Sequence, residues 1–175
     1  KARDALRGVS AERLLNGRKG WKPARLGDLL EKTEETERNP IQAGLDRYLM
    51  VEHLDADRLR VSRWGDIADG NLPPTFYKVF RKGQILYPTR NPHLRRTAVA
   101  DFDGICGEKT LTLSVRDGAD PRFLPFVFQS EAFITFATNR KVGSTNPHIR
   151  WRDVADFEFD LPPLDQQRRI VGFGI

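Results

Sequence analysis

Two stretches of this chain are rich in Lys and Arg and free of acid, and they carry the side chains best suited to meet a polyanion. From Arg81 to Arg96 there are five basic residues and no carboxylate; from Arg140 to Arg152 there are four and none. Arg90, Arg95, Arg96, Lys141 and Arg150 have the charge and reach to contact phosphates or bases. Asn91, His93, Asn146 and His148 are candidates for base edges, because an amide can pair with adenine and an imidazole can donate to guanine. Thr89, Ser144 and Thr145 have the small hydroxyls that fix backbone register on a duplex. Gly143 lets the main chain approach a phosphate closely. Each of these side chains individually fits a solvated loop equally well.

Other chemistry fits less well. Asp101, Asp103, Glu108 and Lys109 lie close enough in sequence to suggest a metal-dependent nuclease, which needs clustered carboxylates around a divalent ion. Asp103-Gly104, however, is also a turn signature, and the carboxylate followed by acid-x-Lys on adjacent strands is absent. His53, His93 and His148 are far apart, and one cysteine gives no zinc-ligand spacing. Cys106 beside Ile105 reads as a buried small hydrophobe. No glycine-rich phosphate loop and no methyltransferase cofactor motif occurs. We expect no metal, no cofactor and no catalytic residue.

The 175 residues suffice for one domain with a real core, and the net charge of +5 fits a polyanionic partner. No apolar run reaches the length of a membrane span, so no membrane partner is expected. A single cysteine excludes an intrachain disulfide and fits a cytoplasmic location.

The elements that must hold the two basic stretches can be read in order. Residues 1–19 form a polar, basic leader, with Ser10 placed to cap a short helix from Ala11. Trp21 to Leu30 suggests a strand and then one helical turn. Residues 31–40 read as an exposed acidic connection. Tyr48–Leu54, Arg58–Val61, Phe76–Phe80, Ile85–Tyr87, Thr97–Ala100, Ile105–Cys106 and Thr110–Val115 read as strands, with Asp101–Gly104 a hairpin turn. Asp120 with Pro121 suggests the start of one helix and Ser130 the cap of a second. Trp151–Val154 suggests one turn and Phe157–Leu161 a last strand, closed by Pro162-Pro163. A helix from Leu164 is expected to continue past Ile175, with Leu164, Ile170 and Val171 as an exposed apolar side inviting self-association. The expected core is Leu49, Val51, Val79, Ile85, Leu86, Val99, Leu111, Leu113, Phe123, Val127, Phe133, Ile134 and Phe159. The fold class is α/β (α+β): a single domain over 20–161 of mixed, mainly antiparallel twisted sheet with short flanking helices, followed over 162–175 by the start of a long spacer helix.

This layout resembles a target recognition domain of a type I restriction–modification specificity subunit. The matching segments are Gly20-Trp21 with Leu26-Gly27-Asp28-Leu29, then Gly83-Gln84-Ile85-Leu86, Gly143-Ser144 with Ile149, and Leu161-Pro162-Pro163-Leu164-Asp165-Gln166-Gln167-Arg168-Arg169-Ile170. The last is the most specific, although Gln166 stands where the family usually has Glu. The resemblance implies a non-catalytic chain that reads one half-site of a split double-stranded DNA target. It also implies methyltransferase and endonuclease subunits as partners, and a second recognition domain or self-association through the spacer helix. Two alternatives are a protein-interaction domain with incidental basic loops and a metal-dependent restriction nuclease domain.

Overall fold

The computed structural model describes residues 20–174. Along the chain, β1 (Lys22–Arg25) runs directly into the single turn α1 (Leu26–Leu29) and then β2 (Leu30–Thr33). Next come β3 (Arg47–Leu49), β4 (Gly65–Asp66), β5 (Lys78–Phe80), β6 (Ile85–Pro88), β7 (Ala98–Val99), β8 (Gly104–Cys106) and β9 (Thr110–Val115). Helices α2 (Leu124–Phe128), α3 (Glu131–Asn139) and α4 (Trp151–Ala155) follow, then β10 (Glu158–Leu161) and α5 (Leu164–Gly174). The mixed, mainly antiparallel α/β class stands, but the strands divide among three sheets rather than one. One has the order β2-β9-β6-β7, another β4-β3-β8-β5, and β1 pairs with β10. Only the β3–β8 pairing among these is parallel.

Strand β6 holds the structure together, because all four of its residues are buried and a strand sends alternate side chains to opposite faces. Ile85 and Tyr87 enter the main core with Leu111, Leu113, Phe123, Val127 and Phe133. Leu86 enters a second core with Leu49, Phe80, Ala98 and Cys106. A strand buried on both sides must be apolar along its length, and Ile-Leu-Tyr-Pro meets that need. The two four-stranded sheets are joined by the segment after β2. Glu37 donates its amide to the carbonyl of Tyr77, and Val79 donates to Glu35, so the chain that leaves β9's side continues along the edge of β5.

The two ends of the described chain meet. β1 lies antiparallel to β10, with Lys22 opposite Leu161 and Arg25 opposite Glu158. Trp21 Nε1 donates to Gln166 Oε1 at 2.7 Å. Next to it Gln167 is fully buried. Its Oε1 accepts from the Asp120 amide at 2.8 Å, and its Nε2 donates to the carbonyls of Pro162 at 2.9 Å and Gly118 at 3.2 Å.

Several local expectations change. Leu30–Thr33, expected in part within an acidic connection, is paired with β9; Leu30 is buried in the main core, and that burial outweighs the polar sequence around it. The strand expected over Tyr48–Leu54 is confined to β3, and Val51–His53 forms a 3-10 turn, leaving Val51 exposed rather than in the core. Arg58–Val61 makes only an isolated parallel bridge, Arg60 with Val99. Asp101–Gly104 does not close a hairpin, because β7 and β8 belong to different sheets. Gly104 is there for want of room: a Cβ would sit 2.6 Å from the Phe80 ring and 2.7 Å from the Arg47 carbonyl. Asp120 does not cap a helix at once; its carboxylate accepts from the Arg122 amide and guanidinium, and α2 begins at Leu124. Ser130 does cap α3, accepting from the Phe133 amide at 3.2 Å. Ile170 and Val171 are not an exposed apolar side, since both are buried in the main core; of the three, only Leu164 is exposed. The expected leader and the Ser10 cap lie outside the described residues.

The Gln167 amide generates a stability prediction. Gln167→Leu keeps the volume but leaves the Asp120 amide and two carbonyls unpaired in a buried place, at about 1–3 kcal/mol for each unpaired group. Urea unfolding should show a loss on the order of 3 kcal/mol; an unchanged midpoint would show that α5 does not brace the domain.

Candidate nucleic-acid interface

The first basic loop leaves the end of β6 at Thr89. Although polar, Thr89 is buried. Its amide and its Oγ1 both donate to the Lys109 carbonyl, at 2.9 and 2.7 Å. Its own carbonyl accepts from the amide of Ile149 at 3.1 Å. Lys109 lies in the turn between β8 and β9, and Ile149 in the second basic loop, so one residue fastens three segments. Ile149 is fully buried in the main core, which anchors the second loop from below. The β8–β9 turn is braced in turn by Lys78, whose Nζ donates to the carbonyls of Glu108 at 2.9 Å and Thr110 at 3.0 Å. Burial holds the Lys78 ammonium below the ordinary lysine range.

Beyond Thr89 the first loop turns sharply. Pro92–Leu94 is a 3-10 turn bracketed by two left-handed residues, Asn91 at φ +52° and Arg95 at φ +54°. Asparagine adopts this conformation readily; arginine does so at a cost on the order of 1 kcal/mol or more. Arg95 is held by its partners. Its carbonyl accepts from the Asp57 amide at 3.2 Å, and its guanidinium pairs with Asp57 at 3.5 Å and with Glu131, the first residue of α3. Arg96 donates to the carbonyls of Val51 at 3.3 Å and Leu54 at 3.0 Å. These two arginines secure the loop to its neighbours. Arg90, Asn91 and His93 are exposed beyond them.

The second loop is a small hairpin. Val142 and His148 exchange both backbone hydrogen bonds, at 2.8 and 3.0 Å. Gly143 takes φ +93°, which only glycine adopts freely. Ser144, Thr145 and Asn146 form the exposed tip. His148 is half-buried, its Nδ1 3.4 Å from the Asn146 carbonyl. Arg150 is tied to Asp153 at 3.1 Å, and Arg140 lies over the Phe136 ring, 4.5 Å from its centroid.

The structure joins the two stretches at one point: Thr89, from which the loop with Arg90, Asn91 and His93 departs, accepts from the amide of Ile149, which follows the hairpin carrying Lys141, Ser144, Thr145, Asn146 and His148. It gives Arg95, Arg96 and Arg150 intramolecular partners. It also separates the beginning of the first basic stretch from the rest. Arg81 pairs with Glu35 at 2.5 Å and Asp103 at 3.0 Å, at the other end of β6. The Asp103 carboxylate accepts from the Lys82 amide at 2.8 Å, and that hydrogen bond, with Arg81, holds it below the usual carboxylate range. Asp103 is thus engaged in structure. Among the described residues no three His, Cys, Asp or Glu side chains gather as a metal site. Cys106 is fully buried in the second core, which pushes its thiol up to about 12.

Sequence reasoning passed over Lys109 for this face. Its carbonyl is the anchor for Thr89, so its side chain starts at the junction of the two loops, and among the described residues it has no carboxylate partner. The sequence signal was weak because Glu108 precedes it and cancels the local charge.

Comparison with known proteins places the chain. A family model described as the type I restriction modification DNA specificity domain matches residues 18–173. The type I restriction enzyme EcoDI specificity subunit of Escherichia coli is 25% identical over 124 residues, covering 71% of this chain and 27% of that subunit. The HsdS subunit from Thermoanaerobacter tengcongensis superposes with a TM-score of 0.66 at 19% identity, over 99% of this chain and 42% of that one. A chain from a structure of type I R-M system assembly and conformational transition gives 0.70 at 20% identity, over 99% and 43%. This chain thus spans well under half the length of each of these relatives, and the two structural likenesses bear on the fold.

The partners found for each arginine separate two classes of side chain. Arg95→Ala and Arg96→Ala should each lower the unfolding free energy by about 1 kcal/mol, the loss expected for a partly buried ion pair or charged hydrogen bond. Arg90→Ala and Lys141→Ala should leave it within about 0.5 kcal/mol of the parent. Equal destabilisation by all four would show that the exposed cations are structural too.

Proposed function

We propose a function from one premise: the chain belongs to the type I restriction modification DNA specificity domain family. The proposed role is sequence-specific reading of one half-site of a split double-stranded target, which directs the associated methyltransferase and endonuclease subunits of a type I restriction–modification system. The observation that supports it best is the meeting of two basic loops at Thr89 and Ile149. Exposed Arg90 and half-buried Lys141 supply charge for phosphates, and Asn91, His93, Asn146 and His148 supply groups able to pair with base edges. Thr89 serves as the buried fastener rather than a contact. Ser144 and Thr145 at the hairpin tip touch the DNA backbone. Arg95, Arg96 and Arg150 contribute chiefly through long-range charge, since each already has partners within the chain.

The reading needs no catalytic group here; chemistry belongs to the partner subunits. The helix α5 leads toward the spacer through which a second recognition domain, or a second copy, would be held. A domain that reads only a few base pairs discriminates modestly by itself, because each mismatch costs about 1–3 kcal/mol. Its salt-sensitive phosphate contacts would carry most of the affinity.

The test is a transplant. Placed in a full specificity subunit and assembled with its methyltransferase, this domain should change one half of the methylated site to the half it dictates. Asn146→Ala or His148→Ala should then flatten the preference at one or two base pairs, whereas Arg90→Ala or Lys141→Ala should weaken all sites alike. An unchanged methylation site after the transplant would overturn the assignment.

A further inference from the structure

We propose that Arg58 and Arg60 form a third contact to the DNA phosphates, along the end of the first loop and the strand that follows it, widening the footprint beyond the two loops. The proposal rests on the DNA reading above and adds a surface to it. The segment is fastened along the first loop and the strand that follows it. The Asp57 amide donates to the Arg95 carbonyl at 3.2 Å. The Gln129 side-chain amide reaches both the Arg58 and Thr97 carbonyls at 3.3 Å. The Val99 amide donates to the Leu59 carbonyl at 2.9 Å, and Arg60 bridges Val99 in parallel register. Residues 57–60 are therefore hydrogen-bonded both to the end of the loop and to β7.

The burial pattern turns the two arginines outward. Leu59 is half-buried and Val61 is buried in the second core, while Arg58 and Arg60 are exposed. Acids near the segment already have cations of their own. Asp55 pairs with Arg63 at 2.6 Å and accepts from Ser62, and Asp57 and Glu131 pair with Arg95. Among the described residues neither Arg58 nor Arg60 lies within ion-pairing distance of a carboxylate, although the Arg58 charge does act on Asp55. Two exposed, unpaired guanidiniums on a strip fastened to the loop are suited to phosphates, which they can engage two oxygens at a time.

The experiment measures binding of the intact specificity subunit carrying this domain to a duplex containing the site it methylates, over a range of salt. Each phosphate contact contributes a slope of about −0.9 in log affinity against log salt. Arg58→Ala with Arg60→Ala should make the slope shallower by about 1.8 without changing which site is methylated. Arg58→Lys with Arg60→Lys, which keeps the charge, should retain most of the slope, and retention there together with loss in the alanine pair excludes simple misfolding. A parent slope in the alanine pair would overturn the proposal while leaving the DNA reading intact. No salt-dependent duplex binding by the parent subunit would overturn both.

Discussion

A buried threonine at the end of a buried strand is the constraint on which the proposed interface depends. Thr89 directs two donors at one carbonyl, that of Lys109, and offers its own carbonyl to the amide of Ile149. Buried backbone groups must be paired, and these pairings can be made only if the β8–β9 turn, the first basic loop and the second basic loop lie side by side. Thr89 and Ile149 are 60 residues apart in the chain. Hydrophobic burial positions the bond: Ile149 below one loop and Tyr87 just before the other both lie in the main core. Like charges that would repel on a flexible chain are held together by contacts that are not themselves charged.

Cations in this domain do two kinds of work, and their partners tell them apart. Arg95 and Arg96 fasten a turn that contains two left-handed residues, and Arg81 joins Glu35 to Asp103 at the far end of β6. Arg90 and Lys141 have no such partner among the described residues. A strained turn held by packing and hydrogen bonds is suited to presenting side chains to a ligand, since little remains to be ordered on binding. Beneath it, Tyr87 Oη and Arg96 Nε are buried without a hydrogen-bond partner.

The sequence revealed the strong periodic elements and the composition of the loops. The alternation of Thr110–Val115, the Ser130 cap and the one-turn helix after β1 were all legible because each is a local preference that tertiary contacts reinforce. The division into separate sheets was not legible, because only long-range pairing assigns β6 and β8 to different sheets. The burial of Ile170 and Val171 was missed because a core that also draws on Leu26, Ile85 and Phe123, far away in the chain, leaves no trace in a local pattern. For the site, residue types pointed to both loops but could not say which arginines are engaged by Asp57, Glu131 or backbone carbonyls. Lys109 and the Arg58–Arg60 strip were hidden because nearby acids cancel them in sequence, and sequence does not show that Asp55 and Asp57 are paired with Arg63 and Arg95.

The central claim is that the two loops form a single DNA-binding face fastened at Thr89. Backbone amide exchange in the intact subunit, compared with and without a duplex carrying its methylated site, tests it most directly. The account predicts slowed exchange in both residues 89–97 and residues 142–149, with residues 81–84 at the other end of β6 unaffected. Protection in only one loop, or protection centred on the Arg81–Asp103 end, would contradict it.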